Sequence, residues 1–364
     1  MKYRYHRTGK HLVCVDQSIY GVVKTVVLGY DRYRLESIGV SRSASRKAVQ
    51  IVTRGKLGLL NSAQQIVLPV LGQIAMQVHG GFKVFDFKRR EVTKAFSRET
   101  TSEEAKKEIA AGEQVSSISA APQFLRADPE HDWYKEEYIC GVHATNPDYR
   151  SGKSILDFYA DVAMCLSDLA TCELPLRVGT LTHLNRLANL SFRARWLKAG
   201  VESAEIDEIE GYVEKLREWL AHHSVRDELQ LVLTHGDFSL VNAIATETGL
   251  RFIDWEGIAR GGLYSDILNF LFVERYYGRA SAGFLDHMSV FVARYGEHVR
   301  SQIPELKDAA ELDPTYARRL YYLERLNLLL ERSASANLHS VVKRSIVMFR
   351  KVDDEIGDIA SQVT

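Results

Sequence analysis

Two short segments hold the side chains of this chain that are best suited to chemistry. The first reads Thr-His-Gly-Asp-Phe-Ser-Leu-Val-Asn over residues 234–242, and the second reads Ile-Asp-Trp-Glu over residues 253–256. Asp237 lies five residues before Asn242, and Asp254 lies twelve residues after it. An aspartate so placed can accept the proton of an attacking hydroxyl, while an asparagine and a second aspartate offer magnesium hard oxygen ligands. The spacing therefore predicts phosphoryl transfer to an alcohol, with Asp237 as general base and Asn242 and Asp254 as metal ligands.

The residues around these segments predict a β-hairpin. Leu231 to Leu233 form the apolar run expected of a buried strand that leads into a loop. The runs Ala243 to Ala245 and Leu250 to Ile253, separated by a turn that contains glycine, are typical of two paired strands. Such a hairpin would bring Asn242 and Asp254 close to one cation.

A His-Gly-Asp loop followed by a hairpin that ends in Ile-Asp-Trp-Glu resembles the aminoglycoside phosphotransferase and choline kinase-like family. The resemblance implies a fold of the α+β class, the bilobal protein-kinase-like fold. This fold has a small antiparallel β lobe with one helix and a large, mainly helical lobe. The resemblance also implies that Asp266 orders the catalytic loop through hydrogen bonds. We count His235 with Asp237 among the catalytic residues and expect it to act by ordering the loop. It implies ATP, with GTP as an alternative, and Mg²⁺ as cofactors.

The pattern expected of a small lobe begins after the first 72 residues. Strand candidates cover residues 73–78, 82–87 and 92–96, with a turn at residues 79–81. This turn has two glycines and lacks the Gly-x-Gly-x-x-Gly pattern of a phosphate loop. The resemblance places Lys94, on the third strand, where kinases bind the α- and β-phosphates.

A helix is predicted to follow, from Ser102 as its N-cap to about Ile118. Kinases pair the strand lysine with a glutamate on this helix. We choose Glu108 for its spacing ahead of the apolar positions, and Glu104 and Glu113 remain alternatives.

Two further strand candidates, residues 124–127 and 134–140, complete the small lobe. The second ends in Glu-Glu-Tyr-Ile-Cys-Gly, which resembles the hinge of the family. There the backbone binds the adenine edge and an apolar residue packs on the ring. We therefore expect Glu137 and Ile139 to bind the nucleotide. Asn146-Pro147 is the expected boundary between the lobes.

The remainder of the chain predicts helices. Apolar residues recur every three or four positions, as on the buried face of a helix, over residues 155–169 and 206–220. Two more helices are expected over residues 316–332 and 341–359. We thus predict three regions: a basic, β-rich N-terminal extension, a nucleotide-binding small lobe with its hinge, and a helical lobe for catalysis and acceptor binding. They cover residues 1–72, 73–144 and 145–364.

The N-terminal extension lies outside the resemblance and is strongly basic. Residues 1–72 carry 12 lysines and arginines against 3 aspartates and glutamates, a net charge of +9, whereas the remainder carries −9. Strands are predicted at residues 12–15, 19–28 and 50–53, with a loop at residues 41–46. We favour packing of this segment against the protein's own acidic part, because it contains apolar runs. The alternative is contact of residues 1–56 with an anionic membrane or glycan.

Composition narrows the class of protein. The 364 residues, 46% hydrophobic and 10% aromatic, suffice for two domains with large cores. We expect neither a membrane-spanning helix nor a secretory signal, and the four cysteines lack metal-ligand spacing. The expected location is the cytoplasm, with peripheral contact at the inner face of the membrane as a further option. We expect no nucleic-acid partner, and the oligomeric state is left open.

The acceptor is the least determined feature. The family named above acts on aminoglycosides, choline, ethanolamine, sugars and cell-envelope glycans, and the motif does not select among them. Acidic and aromatic residues would suit a cation, whereas the basic N-terminus would suit an anion. We predict a sugar or cell-envelope glycan hydroxyl, with choline, ethanolamine or an aminoglycoside as the alternative. An inactive nucleotide-binding scaffold is the alternative of another class.

Overall fold

The computed structural model divides the chain into two compact units. The first comprises Met1–Lys153 with Leu240–Glu256, and the second comprises Ser154–Ser239 with Gly257–Thr364. The structure describes residues 2–8, 10–28, 31–32, 35, 40–57, 59–60, 62–78, 80–128, 130, 132–144, 155–189, 191–276, 284–307, 311–332 and 336–362. The expected boundary at Asn146-Pro147 and residue His79 of the predicted glycine turn lie outside these residues.

The first unit is built on an antiparallel sheet. Its strands β1 to β8 are Tyr3–Thr8, His11–Cys14, Gln65–Leu68, Ile74–Val78, Gly81–Asp86, Glu91–Phe96, Phe124–Ala127 and Trp133–Glu137. Within the described residues, these eight strands form one sheet in the order β3-β1-β2-β4-β5-β6-β8-β7. A smaller sheet joins β9 (Val142–His143), β12 (Ala243–Thr246) and β13 (Gly249–Phe252) in the order β13-β12-β9. The strands predicted for the small lobe and for the hairpin are thereby confirmed.

The N-terminal segment contains helices where strands were predicted. Helix α1 covers Ile19–Val22 and continues as a π-helical turn over Val23–Val27, so the strand predicted at residues 19–28 is wrong. Ser18 caps α1 by accepting a hydrogen bond from the N–H of Gly21 at 2.9 Å. The valines that suggested a strand are helical because they pack into the core, and such packing outweighs the β-preference of branched residues.

Helix α2, Arg42–Lys56, replaces both the loop predicted at residues 41–46 and the strand predicted at residues 50–53. Ser41 caps it, since its Oγ accepts from the N–H of Ala44 at 3.2 Å. Its buried residues recur at helical spacing along one face: Ser45, Ala48 and Val52.

Alternation along the strands gives the large sheet two packed faces. One face and the helices α1 and α2 share a cluster that includes Val22, Val52, Ile74 and Phe85. The opposite face carries a second cluster, of which Val84 is a member. Successive residues of a strand therefore contribute their side chains to opposite faces of the sheet.

The second unit is mainly helical, as predicted. Its helices α4 to α11 are Ile155–Thr171, Thr180–Ala188, Arg193–Lys198, Ser203–His222, Ser265–Tyr276, Phe284–Gln302, Pro314–Arg332 and Ala336–Gln362. Strands β10 (Leu176–Gly179), β11 (Glu228–Thr234) and β14 (Ala259–Gly262) pair antiparallel in the order β10-β11-β14. Among the described residues, no helix is long and apolar enough to cross a membrane. The two units confirm the predicted α+β class.

Helix α3, Ser102–Val115, has Thr101 as its N-cap, so the prediction of Ser102 is wrong by one residue. Thr101 Oγ1 accepts from the N–H of Glu104 at 3.2 Å, and Glu104 Oε2 accepts from the N–H of Thr101 at 2.8 Å. This capping box satisfies backbone N–H groups that the first helical turn leaves without partners.

We predict that Thr101→Ala lowers the free energy of unfolding by about 1 kcal/mol, because it removes the cap of α3. Ser102→Ala is the control, since it changes the exposed neighbouring hydroxyl and should stay within about 0.5 kcal/mol of wild type. Urea denaturation followed by circular dichroism measures both. A larger loss for Ser102→Ala than for Thr101→Ala would contradict the assignment of the cap.

Candidate active site

The sheet of the first unit carries a row of functional side chains. In the pairing of β5, β6 and β8, Lys83 lies opposite Lys94, and Lys94 lies opposite Tyr134. Directly paired residues point to the same face of a sheet, so these three side chains project together.

Lys94 is buried in an ion-pair network, with 1% of its side chain exposed. Its Nζ lies 3.1 Å from Glu108 Oε1 on α3 and 3.5 Å from Glu256 Oε1. The hydroxyl of Tyr134 donates to the same Glu108 oxygen at 2.9 Å. Burial raises the pKa of Glu108, and the Lys94 ammonium opposes that rise. The structure thus brings Glu108 to Lys94, whereas Glu104 takes part in the helix cap. That Lys94 and Glu108 bind the nucleotide stays a prediction.

The hairpin of β12 and β13 positions the predicted metal ligands. Ala243 pairs with Phe252, and the N–H of Ile253 donates to the backbone oxygen of Asn242 at 2.9 Å, so Asn242 and Asp254 lie at the same end. Asp254 has a φ of +65°, a left-handed conformation that is strained for most residues and tolerated by aspartate.

The donor set of Asn242 and Asp254 fits magnesium. An amide oxygen and a carboxylate are hard ligands, and magnesium takes few ligands from protein when phosphates and water supply the rest. Among the described residues, no group of three or more His, Cys, Asp or Glu side chains could hold a metal by itself.

Sequence reasoning missed Lys83. Its ammonium forms an ion pair with Asp254 Oδ1, and its side chain is only 15% exposed. Burial lowers the pKa of Lys83, but the carboxylates of Asp254 and Glu136 outweigh burial and hold the pKa above its usual value. The position of the β5–β6 turn was the signal that could have placed Lys83 opposite Lys94.

Glu136, two residues after Tyr134 on β8, belongs to the same pocket, which Lys83, Glu108 and Asp254 also line. Burial raises the pKa of Glu136 to about 7, and the Lys83 ammonium only partly offsets that rise.

The side chains of the predicted hinge residues, Glu137 and Ile139, are engaged within the fold. The Glu137 carboxylate accepts two hydrogen bonds from Arg251, at 2.8 and 3.0 Å, and its backbone N–H donates to Gln123 O at 2.9 Å. Ile139 is buried. Binding of adenine by the backbone at Glu137 and Ile139 remains a prediction.

In the second unit, side chains of helix α8 form hydrogen bonds with the backbone of the predicted catalytic loop. Asp266 accepts from the N–H of His235 at 2.6 Å and from the N–H of Gly236 at 3.0 Å, which confirms the hydrogen bonds expected of Asp266. Asn269 Nδ2 donates to Phe238 O at 2.7 Å. Gly236 has a φ of +76°, and a Cβ there would lie 2.1 Å from the carbonyl oxygen of Gly257, so only glycine fits.

The loop leaves Asp237 accessible and His235 buried. His235 is 0% exposed and packs on the Phe238 ring, which agrees with the predicted loop-ordering role. The Asp237 side chain is 47% exposed. Arg325 of α10 holds it: Nη2 lies 3.1 Å from Asp237 Oδ1, and Nη1 donates to Gly236 O at 3.2 Å. No local pattern could have revealed Arg325, because it lies 88 residues from Asp237.

We predict that Glu136→Gln stabilises the protein above pH 7 and has little effect at pH 4.5. The pKa of Glu136 is about 7 in the folded protein against 4.5 for a free glutamate, so between these values the unfolded chain releases a proton that the folded chain keeps. Wild-type stability therefore falls as the pH rises through this window, and the amide removes the fall.

Thermal denaturation at pH 4.5, 6 and 8 measures this effect. Glu113→Gln, at an exposed position of α3, is the matched control and should leave the pH dependence as in wild type. A Glu136→Gln curve parallel to that of wild type would contradict the prediction.

Two solved structures resemble this chain in fold. A choline kinase from Cryptosporidium parvum aligns over 79% of this chain and 90% of its own, with 15% identity and a TM-score of 0.52. The choline kinase LicA from Streptococcus pneumoniae aligns over 83% and 99%, with 14% identity and a TM-score of 0.50. At these identities the similarity shows the fold alone, and it confirms the predicted kinase-like fold.

The sequence of the chain also matches a family model. No curated protein is similar enough to give a significant match. The model of the phosphotransferase enzyme family, in contrast, matches residues 83–318, more than half of the chain. This protein therefore belongs to the phosphotransferase enzyme family, and it is a phosphotransferase with an alcohol group as acceptor.

Proposed function

We propose that the protein transfers the γ-phosphoryl group of ATP to a hydroxyl of a sugar or cell-envelope glycan, with Mg²⁺ as cofactor. The buried pair of Lys94 and Glu108 carries this proposal. A buried ion pair adds little stability over apolar residues of similar volume, so stability does not account for it. A lysine fixed beside a hairpin with magnesium ligands accounts for it, because a polyphosphate needs such a cation.

The first unit supplies the residues for the nucleotide. Lys94 acts as a point charge toward the phosphates, and Asn242 and Asp254 hold the metal. Bound magnesium neutralises charge on the phosphates and on the leaving group. The backbone at Glu137 and Ile139 binds the adenine edge, and GTP is the alternative donor that a binding assay separates from ATP.

The second unit supplies the base. Asp237 accepts the proton of the acceptor hydroxyl while the new oxygen–phosphorus bond forms and the bond to the departing nucleoside diphosphate breaks. The hydrogen bonds of Asp266 to the loop and the contact of Arg325 fix the Asp237 carboxylate before the acceptor arrives.

The charge beside Asp237 supports the choice of acceptor. Arg325 compensates the negative charge of the Asp237 carboxylate, so this carboxylate attracts an acceptor ammonium less than an unpaired one would. A neutral or anionic polyol meets no such disadvantage, and its hydroxyls can accept hydrogen bonds from a guanidinium. This favours a sugar or glycan over choline, ethanolamine or an aminoglycoside.

We predict that Asp237→Asn lowers turnover by ~10²–10⁴-fold and leaves nucleotide affinity near that of wild type, because it removes only the base. Release of ADP measures turnover, and calorimetry with ATP or GTP, with and without Mg²⁺, measures affinity. Asp207→Asn, at a mostly exposed aspartate of α7, is the control and should change neither. Turnover at the wild-type rate in Asp237→Asn would exclude Asp237 as the base.

The same assay decides the acceptor when it is run with sugars, glycan fragments, choline, ethanolamine and aminoglycosides. Phosphorylation of a sugar or glycan supports the proposal. Phosphorylation of choline, ethanolamine or an aminoglycoside instead would overturn the proposed acceptor but not the proposed phosphoryl transfer. Nucleotide binding without turnover of any acceptor would favour the inactive scaffold.

We further infer that the N-terminal region contacts an anionic membrane surface. Helix α2 buries Ala48 and Val52, while its basic side chains are exposed to solvent. These side chains are Arg42, Arg46, Lys47, Arg54 and Lys56. A solvent-facing basic stripe argues against our initial preference for packing on the protein's own acidic part, and it suits anionic headgroups.

We predict that wild-type protein sediments with anionic vesicles and not with zwitterionic vesicles, and that added salt reverses the binding. The triple variant Arg46→Gln, Lys47→Gln, Arg54→Gln should lose this binding. The matched control removes three exposed charges of the second unit, Lys198→Gln, Lys215→Gln and Lys351→Gln, and should keep it. Equal binding by wild type and the α2 variant would exclude this surface.

A further inference from the structure

The first unit holds a half-buried lysine, Lys83, that the proposed reaction does not use. Lys83 on β5 lies directly opposite Lys94 on β6, so both side chains leave the same face of the sheet. The Lys83 side chain is 15% exposed and that of Lys94 is 1% exposed. Like charges directly opposite each other destabilise a sheet, so the pair requires carboxylates nearby and a reason to be there.

The two lysines are balanced by different carboxylates. Lys94 lies within 3.5 Å of Glu108 and Glu256. Lys83 instead pairs with Oδ1 of Asp254, the proposed magnesium ligand. An ammonium and a divalent cation repel each other, so this carboxylate oxygen cannot hold both at full strength.

We propose that Lys83 is a second phosphate-binding lysine. It pairs with Asp254 before the nucleotide binds, and its ammonium moves to the polyphosphate when magnesium takes that carboxylate. This inference rests on the proposed function.

The chemistry of both partners suits this exchange. A lysine ammonium is compact, sits on a flexible four-carbon stem and has three donors, so it can change partner without movement of the strand. A nucleoside triphosphate brings more negative charge than one magnesium ion neutralises. Lys83 takes up part of the excess, and the exchange keeps every charge of the pocket near an opposite one.

A purely structural Lys83 makes a different prediction from an exchanging one. If Lys83 only neutralised Asp254 within the fold, its loss would loosen the hairpin and weaken all ligands of the pocket alike. If it exchanges, its loss has opposite effects on two ligands. The carboxylate becomes available to a divalent cation alone, whereas the polyphosphate loses a cationic partner.

The test is Lys83→Met, which keeps an unbranched side chain and removes the charge. Mn²⁺ stands in for magnesium in a spin-resonance titration without nucleotide, and calorimetry with a non-hydrolysable ATP analogue at saturating Mn²⁺ gives nucleotide affinity. We expect Mn²⁺ alone to bind about tenfold more tightly and the analogue about tenfold more weakly, each equivalent to ~1.4 kcal/mol.

Lys135→Met is the matched control. Lys135 lies on β8 of the same sheet, is 12% exposed and pairs with Glu91 at 2.5 Å, but it points to the opposite face from Tyr134 and Lys94. Both affinities should remain as in wild type.

The outcomes separate this inference from the proposed function. Failure of wild-type protein to bind any nucleotide overturns the proposed function and the inference with it. Wild-type binding, together with Lys83→Met affinities that are unchanged or altered in the same direction, overturns the inference alone.

A second variant keeps Lys83 in place and covers the case in which Lys83→Met does not fold. In Asp254→Asn, asparagine tolerates the φ of +65° at this position. The substitution removes the carboxylate charge that pairs with the Lys83 ammonium. ATP without metal should then bind about tenfold more tightly. Glu256→Gln, which removes one negative charge beside Lys94 instead, should give a smaller gain, and equal gains overturn the proposal.

Discussion

The burial of a charged lysine is the constraint on which the first unit depends. An ammonium that is 1% exposed remains charged only beside carboxylates, and Lys94 has them at 3.1 and 3.5 Å. Each carboxylate comes from a separate element: Glu108 from α3, whose start the Thr101 cap fixes, and Glu256 from the segment after the β12–β13 hairpin. Displacement of either element would remove one of the two carboxylates beside this buried ammonium, so the Lys94 side chain links the sheet, the helix and the segment after the hairpin.

The catalytic loop of the second unit is fixed by a different means. A single carboxylate on α8, that of Asp266, accepts hydrogen bonds from two backbone N–H groups of the loop. Gly236 permits the tight approach to Gly257 that this path needs. The side chain of Asp237, the proposed base, is 47% exposed, and its contact with Arg325 limits its orientation. A base that must receive a proton has to remain accessible, whereas a phosphate lysine benefits from a fixed, buried position.

Local spacing made part of this arrangement predictable from the sequence. Asn242 and Asp254 sit at the ends of one hairpin, and Glu108 lies two turns into a capped helix, so short-range rules placed them. Lys83 was missed because its role depends on the register of β5 against β6, which the alternating pattern of each strand does not give without the exact turn between them. Arg325 depends on a contact across 88 positions. The valines of α1 misled because their strand preference yields to packing on the sheet.

The pocket of the first unit gathers several departures from local rules. Two lysines stand opposite each other, desolvation of the half-buried Glu136 raises its pKa to about 7, and Asp254 adopts a left-handed backbone. Each departure lowers stability, and apolar residues of similar volume could fill the same space. Sequences keep such combinations where binding or chemistry requires them, since elsewhere local and global preferences agree. The two lysines and their carboxylates are best explained as a binding site. In this site the carboxylate that pairs with Lys83 is exchanged for a polyphosphate and becomes available to a metal.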